Sequence, residues 1–292
     1  MEADDLWIEY VAVATDPVER RVDAAAVEQG QADFGGLVRR MPSQHPLRAV
    51  HLAAYVDTRL AMYEADPQRS DLLTEALLAA HDSVRSQHRP AQRAVAELRL
   101  SRVLRVHADA QRRTDPRTAA RTLDRAVSTA ARAAARIRPD SLDHALGQHL
   151  HGLALEQRFH TTGRPADRDL AIAALRRSLD GPGLPAVCIA AGRALADIHA
   201  DQLDWDSTAA ALGRAVKLLD GFAPARMSHR SRERILENVK ALASDAAAAE
   251  LNRGSAAHAL AVLEQGRCVI FAQTLQEAHD NAGAAHAEPA AL

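Results

Sequence analysis

Residues 205–216 run Trp205-Asp206-Ser207-Thr208-Ala209-Ala210-Ala211-Leu212-Gly213-Arg214-Ala215-Val216. Thr208, Leu212 and Ala215 fall at i, i+4 and i+7, the spacing that gathers side chains on one face of an α-helix. The order along that face is small, large, small. A small residue lets the helix lie close to a neighbour, and the leucine fills the groove toward the next pair of helices. The same face recurs downstream at Ala259/Leu263/Gly266 and upstream at Ala171/Leu175/Ser178, Ala119/Leu123/Ala126 and Leu73/Leu77/Ala80. Five copies of one helical face along a chain are the signature of a helical repeat array.

Working outward from these stripes, helical periodicity is broken only by short Pro, Gly and Asp clusters. They fall at Met41 to Pro46, Asp66-Pro67, Arg89-Pro90, Thr114-Asp115-Pro116, Pro139-Asp140-Ser141, Gly163-Arg164-Pro165, Gly181-Pro182-Gly183, Gln202 to Asp204, Phe222 to Ser228 and Gly254-Ser255. Asp115 and Ser141 offer cap acceptors, and proline after a cap suits the first turn of a helix. The pattern predicts ten helices in five consecutive antiparallel pairs, preceded by a helical segment near 16–40. The fold class is all-α, an α-solenoid of about five hairpins. A helical cap is expected over 1–44, the repeat array over 45–278 and a low-complexity tail over 279–292.

Composition agrees. The chain of 292 residues is 47% hydrophobic, which excludes wholesale disorder, but it holds only four Phe, three Tyr and two Trp. Alanine and leucine, the best helix formers, dominate, and the β-branched and aromatic residues that strands favour are scarce. The net charge of −2 leaves no electrostatic footprint for nucleic acid or an anionic membrane. No apolar run approaches the ~20 residues of a membrane span, and the acidic start Met1-Glu2-Ala3-Asp4-Asp5 is unlike a signal peptide. Cys188 and Cys268 both lie in helical apolar patterns. They are expected as buried packing residues in a reducing cytoplasm rather than as a disulfide.

The small–large–small stripe resembles the second helix of tetratricopeptide (TPR) repeats. Trp205 to Val216 and Gly254-Ser255-Ala256-Ala257-His258-Ala259-Leu260-Ala261-Val262-Leu263 resemble it most, and Leu146-Gly147 and Gly152-Leu153 each resemble the family's Leu-Gly pair. The stripes lie further apart than the usual ~34 residues, and longer first helices would absorb the difference. The second half is also similar to the repeat regions that precede bacterial CHAT domains, the caspase-like module. That likeness rests on His151 to Leu179, Trp205 to Leu219, Met227-Ser228-His229-Arg230, and Leu263-Glu264-Gln265-Gly266-Arg267 followed by Gln273-Thr274-Leu275. The residues from His279 to Leu292 do not read as a CHAT domain, so the resemblance implies the helical, partner-facing part alone.

Motifs for chemistry are absent from the sequence. His144, His149, His151 and His160 lack the i, i+4 pairing of a helical zinc site, and His144 and His151 lie two turns apart, ~10 Å. There is no G-x-S-x-G, S-x-x-K, P-loop or G-x-G-x-x-G. No catalytic residue, metal or cofactor is expected.

What remains is surface. In stacked helical hairpins the first helices line the wall that commonly receives a partner. Here they carry Arg93, Arg99, Arg102 and Arg105, then Asp143, Gln148, Glu156 and Arg158, then Arg193, Asp197 and His199. Arg99, Arg102 and Arg105 at i, i+3 and i+6 form one broad stripe. Arginine captures carboxylates bidentately, so the expected ligand is an acidic peptide or a partner's C-terminus. The candidate partner-binding set is Arg99, Arg102, Arg105, Asp143, Gln148, Glu156, Arg193 and Asp197. Trp205 is expected to pack across a hairpin turn and Trp7 to cap the array. The function expected is a non-catalytic protein- or peptide-binding scaffold, with nucleic acid and membranes not among its partners; self-association is compatible with it. The alternatives are the recognition arm of a CHAT-type protease or signalling protein, and a peptide-responsive regulator of an effector.

Overall fold

The computed structural model describes residues 36, 40–42, 45, 47–221 and 229–268. Among these there is no strand, and the elements follow one another as helices: α1 (Arg48–Ala65), α2 (Ser70–Ser86), α3 (Pro90–Gln111), α4 (Pro116–Arg136), α5 (Asp143–Thr162), α6 (Pro165–Asp180), α7 (Pro185–Ala200), α8 (Trp205–Lys217), a 3₁₀ turn (Leu218–Gly221), α9 (His229–Asn252), and α10 over 256–268. The fold is all-α and of the helical-repeat kind. The cap expected over 1–44 with its helical segment at 16–40 and Trp7, the break at Phe222 to Ser228, and the tail at 279–292 lie wholly or mostly outside the described residues.

Helix starts follow local chemistry. Pro90, Pro116 and Pro165 open α3, α4 and α6, where a missing N–H has no partner to lose. The Asp115 carboxylate accepts from the Thr118 N–H at 3.1 Å, and Asp204 accepts from the Ser207 N–H at 3.1 Å. The Ser141 hydroxyl accepts from the Asp143 N–H at 3.2 Å. Gly163 ends α5 with φ 70°, a left-handed conformation that suits glycine, and its N–H closes the last turn onto Phe159 O at 2.7 Å.

The chain gathers into two compact units, Met1–Leu184 and Pro185–Leu292. In the first, α1/α2, α3/α4 and α5/α6 are hairpins, each packed on the next, and α3 also touches both α1 and α5. Its core holds fully buried Val56, Leu60, Leu72, Leu98, Leu104, Leu123, Leu155 and Leu175, each stabilising the fold by about 1.5–3 kcal/mol. In the second, α7 packs on α8 and α8 on α9, around Val216 and Leu242.

The small residues do what their spacing predicts. Ala119, Leu123 and Ala126 are buried, as are Ala171, Leu175 and Ser178, and Thr208, Leu212 and Ala215. The Ser178 hydroxyl donates to Ala145 O at 2.7 Å, and Ser101 donates to Ala126 O at 2.8 Å, so each hairpin closes until a hydroxyl reaches the facing backbone. A Cβ on Gly152 would meet Leu175 Cγ at 2.7 Å, and one on Gly266 would meet Ala243 Cβ at 2.5 Å. Two stripes deviate. Leu77 is only half-buried: Leu73 and Ala80 of its stripe are buried, but the buried arc of α2 is centred on Ala76, which leaves Leu77 at its edge; Leu263 is half-buried on α10. Cys188 is buried, but Cys268 is exposed, contrary to expectation. It lies two residues beyond buried Gly266, about 200° further around the helix and so away from the packed face. Trp205 begins α8 and is half-buried.

Candidate functional site

The three arginines of the α3 stripe do not share a target. Arg99 Nε lies 3.2 Å from Asp57 Oδ2, and Arg102 Nη2 donates to both Glu64 carboxylate oxygens at 3.1 and 3.3 Å. Both carboxylates belong to α1. Arg105 turns the other way, and its Nε donates to Gln157 Oε1 on α5 at 2.9 Å. The cause is the helical angle: six residues advance about 600°, leaving Arg99 and Arg105 about 120° apart around α3. Burial raises the Asp57 carboxyl above the usual range, against the opposing pull of Arg99 and Arg102.

Between α3 and α5 lies a groove of about 410 Å³. Arg105, Val106 and Asp109 line it from α3 and Arg112 from the cap that follows it, at i, i+1, i+4 and i+7; Leu153, Glu156, Gln157 and His160 line it from α5, at i, i+3, i+4 and i+7. Gln157 fixes the seam in two directions, since its Nε2 also donates to the Arg105 carbonyl at 3.1 Å. Arg112 Nε lies 3.6 Å from Asp109 Oδ1, and His160 Nε2 lies 4.0 Å from Glu156 Oε1. Val106 and Leu153 are half-buried and form the apolar part of the lining. On the same helix, burial and then the charge of Arg105 push the His149 imidazole down to about 4, and its Nδ1 has no hydrogen-bond partner.

Helix α5 is anchored from the opposite side. Arg158 makes a bidentate pair with buried Asp167 of α6, Nε to Oδ2 at 2.8 Å and Nη2 to Oδ1 at 2.6 Å, while Nη1 reaches Asp124 of α4 at 2.9 Å. Arg158 is thus a structural clamp across three helices. Gln148 also faces away from the first helices, accepting from Arg177 Nε of α6 at 3.0 Å. Asp143 lies half-buried in the first turn of α5. Arg93, at the start of α3, lies 3.6 Å from buried Glu97, which Arg136 holds at 2.8 Å.

In the second unit, Arg193 Nη2 of α7 lies 3.1 Å from Asp245 Oδ2 of α9. Burial raises the Asp197 carboxyl; Arg193 opposes this, and Asp245 and Asp201 reinforce it. His199 is buried, with Nδ1 3.6 Å from Asp204 Oδ2.

Of the eight residues expected to bind a partner, the groove brings together Arg105 and Glu156. Arg99, Arg102, Gln148 and Arg193 are engaged in contacts between helices. Val106, Asp109, Arg112, Leu153, Gln157 and His160 also line the groove and were not in the expected set, although their spacing on each helix is that of one face. Among the described residues no group of three or more His, Cys, Asp or Glu is placed to hold a metal ion, and no helix is long and apolar enough to cross a membrane.

No family model and no curated protein sequence matches the chain. Among solved structures it is similar to BtubC (BKLC) from P. vanneervenii, with 14% sequence identity and a TM-score of 0.52, over 84% of this chain and 90% of that one. At this identity the likeness bears on the fold, which is helical in both.

Proposed function

We propose that the chain is a non-catalytic protein- or peptide-binding scaffold and that the first-helix face of its amino-terminal unit receives the partner. The observation that carries this reading is the α3–α5 groove, whose lining combines guanidinium, carboxylate, amide and imidazole groups with the apolar side chains of Val106 and Leu153. A few convergent polar groups over an apolar lining are what a recognition site requires. Nothing in that lining pairs a nucleophile with a base, which is why binding rather than catalysis is proposed. A reducing, cytoplasmic setting is proposed with it, on the two free cysteines Cys188 and Cys268.

The repeat type proposed is tetratricopeptide-like, on the strength of the buried small–large–small stripes and the close seats of Gly152 and Gly266. A second reading makes the chain the recognition arm of a bacterial CHAT-type protein. It is favoured by the Glu264-Gln265-Gly266-Arg267 segment, in which Gly266 packs on Ala243 and Arg267 Nη1 pairs with Glu264 at 2.7 Å.

A photoreactive residue placed at position 153 in the full chain tests the scaffold reading, with position 132, exposed on α4, as control. Illumination in host extract is expected to give protein adducts at 153 and not at 132. Equal labelling at both positions, or none at 153, overturns the assignment of the groove.

A further inference from the structure

We propose that the α3–α5 groove takes an extended peptide segment of no net charge and seats one aliphatic side chain of that segment on Val106 and Leu153. The proposal rests on the reading of this groove as the binding surface and names the chemistry of its ligand.

An acidic ligand needs cations presented together, and the stripe on α3 is the obvious source. Arg99 and Arg102 are instead held against Asp57 and Glu64 of α1, at 3.2 and 3.1 Å, and their side chains are largely covered, at 24% and 12% exposure. Two of three cations therefore point at a neighbouring helix. The third, Arg105, is hydrogen-bonded to Gln157.

Within the groove the formal charges cancel. Arg105 and Arg112 are matched by Asp109 and Glu156, and the Asp109–Arg112 pair lies inside ion-pair range. A ligand carrying net charge of either sign meets repulsion from half of this lining. An extended main chain does not. Its carbonyls accept from guanidinium N–H groups, and its N–H groups donate to carboxylates, so alternating donors and acceptors suit a lining that alternates the same way. Val106 and Leu153 supply the apolar contact that a main chain alone lacks, and an aliphatic side chain laid on them leaves water without leaving a polar group unpaired. Because α3 and α5 both precede a helix that runs back, they are parallel, and the groove between them has the length of two helical turns on each side.

The test is selection from a phage-displayed library of random peptides on the immobilised full chain, repeated on Leu153→Arg, which places a cation on the apolar floor. Thermal melts compare the two folds, and Val106→Arg serves as the second variant if Leu153→Arg melts lower. The expected peptides lose at least about tenfold in affinity on the variant, share an aliphatic residue flanked by uncharged ones, and change affinity less than about twofold between about 50 and 500 mM salt. Peptides that are sensitive to the variant but acidic or basic, with affinities falling steeply with salt, overturn the proposed ligand chemistry and leave the groove as a binding surface. Selection that yields no peptide sensitive to either variant overturns both.

Discussion

Helix α3 presents arginine to two neighbours, and the two seams it makes differ in kind. Toward α1, Arg99 and Arg102 meet carboxylates at 3.2 and 3.1 Å and close the seam. Toward α5, Arg105 meets the neutral amide of Gln157 at 2.9 Å, and the seam beside it stays open as a groove. Ion pairs across the first seam make it part of the scaffold. Across the second, the Gln157 amide bonds both the side chain and the carbonyl of Arg105, and the polar groups beside it line a cleft. Residue type thus says little about role until the neighbouring helix is known.

Helix α5, which lines the open seam, is held from its other side, and the strongest way to break the comparison is to remove that hold. Arg158 ties α5 to buried Asp167 and to Asp124. Arg158→Ala leaves the Asp167 carboxylate buried without its partner, which costs about 3–5 kcal/mol. Urea unfolding of the variant against wild type measures it. A loss below about 1 kcal/mol would show that α5 is held by packing alone.

The seams also titrate with opposite sign. In the α3–α5 seam, His149 is held near 4, below the ordinary imidazole value of ~6.5. A group whose pKa is lower in the folded state binds fewer protons there. Its contribution is intact above ~6.5 and is lost as pH falls from there through 4, by about 3 kcal/mol in all. In the α1–α3 seam, burial raises Asp57, so the folded state binds the proton more readily and gains relative stability as pH falls through the raised value. His149→Leu is expected to flatten the acid limb of stability between about pH 6.5 and 4, read from urea midpoints across pH. His81, His107 and His151, also lowered chiefly by burial, leave a residual slope of the same sign. An unchanged profile would place the acid sensitivity elsewhere.

Much of the fold was legible because helix ends are set locally. Pro90, Pro116 and Pro165 announce a helix head whatever surrounds them, and Asp115 and Asp204 cap within three residues of themselves. The small–large–small face was equally plain, since its spacing is a property of one helix. The site was less legible, because its residues are defined by partners 38 to 52 positions away, as with Arg102 and Glu64 or Arg105 and Gln157. An i, i+3, i+6 row of arginines looks like one stripe on paper, yet its drift around the axis sends Arg99 to α1 and Arg105 to α5. The set Arg105, Asp109 and Arg112, at i, i+4 and i+7, holds its face better and would have marked the groove. The contact of Gln148 with Arg177 was hidden for the same reason, since nothing near it in sequence announces that partner.

Ion-pair coupling sharpens the contrast on a smaller scale. In the closed seam, Arg102 and Glu64 are 12% and 30% exposed. A double-mutant cycle on Arg102→Ala and Glu64→Ala should return a coupling of about 1 kcal/mol, the upper part of the range for partly exposed pairs. A value near zero would mean that the α1–α3 seam is closed by its apolar contacts, with the arginines as passengers.

The smallest effect belongs to the groove. Asp109 and Arg112 are 61% and 54% exposed and 3.6 Å apart, within one helix turn. Solvent screens such a pair, and the entropy of holding the arginine side chain in one geometry offsets what attraction remains. The cycle on Asp109→Ala and Arg112→Ala is expected within about 0.3 kcal/mol of zero in the free protein. That near-absence of coupling suits a recognition surface: two charges with little mutual attraction can turn to a ligand's main chain at little cost. A coupling as large as that of Arg102 and Glu64 would make the groove a second closed seam, and its charges would then belong to the scaffold on both sides of α3.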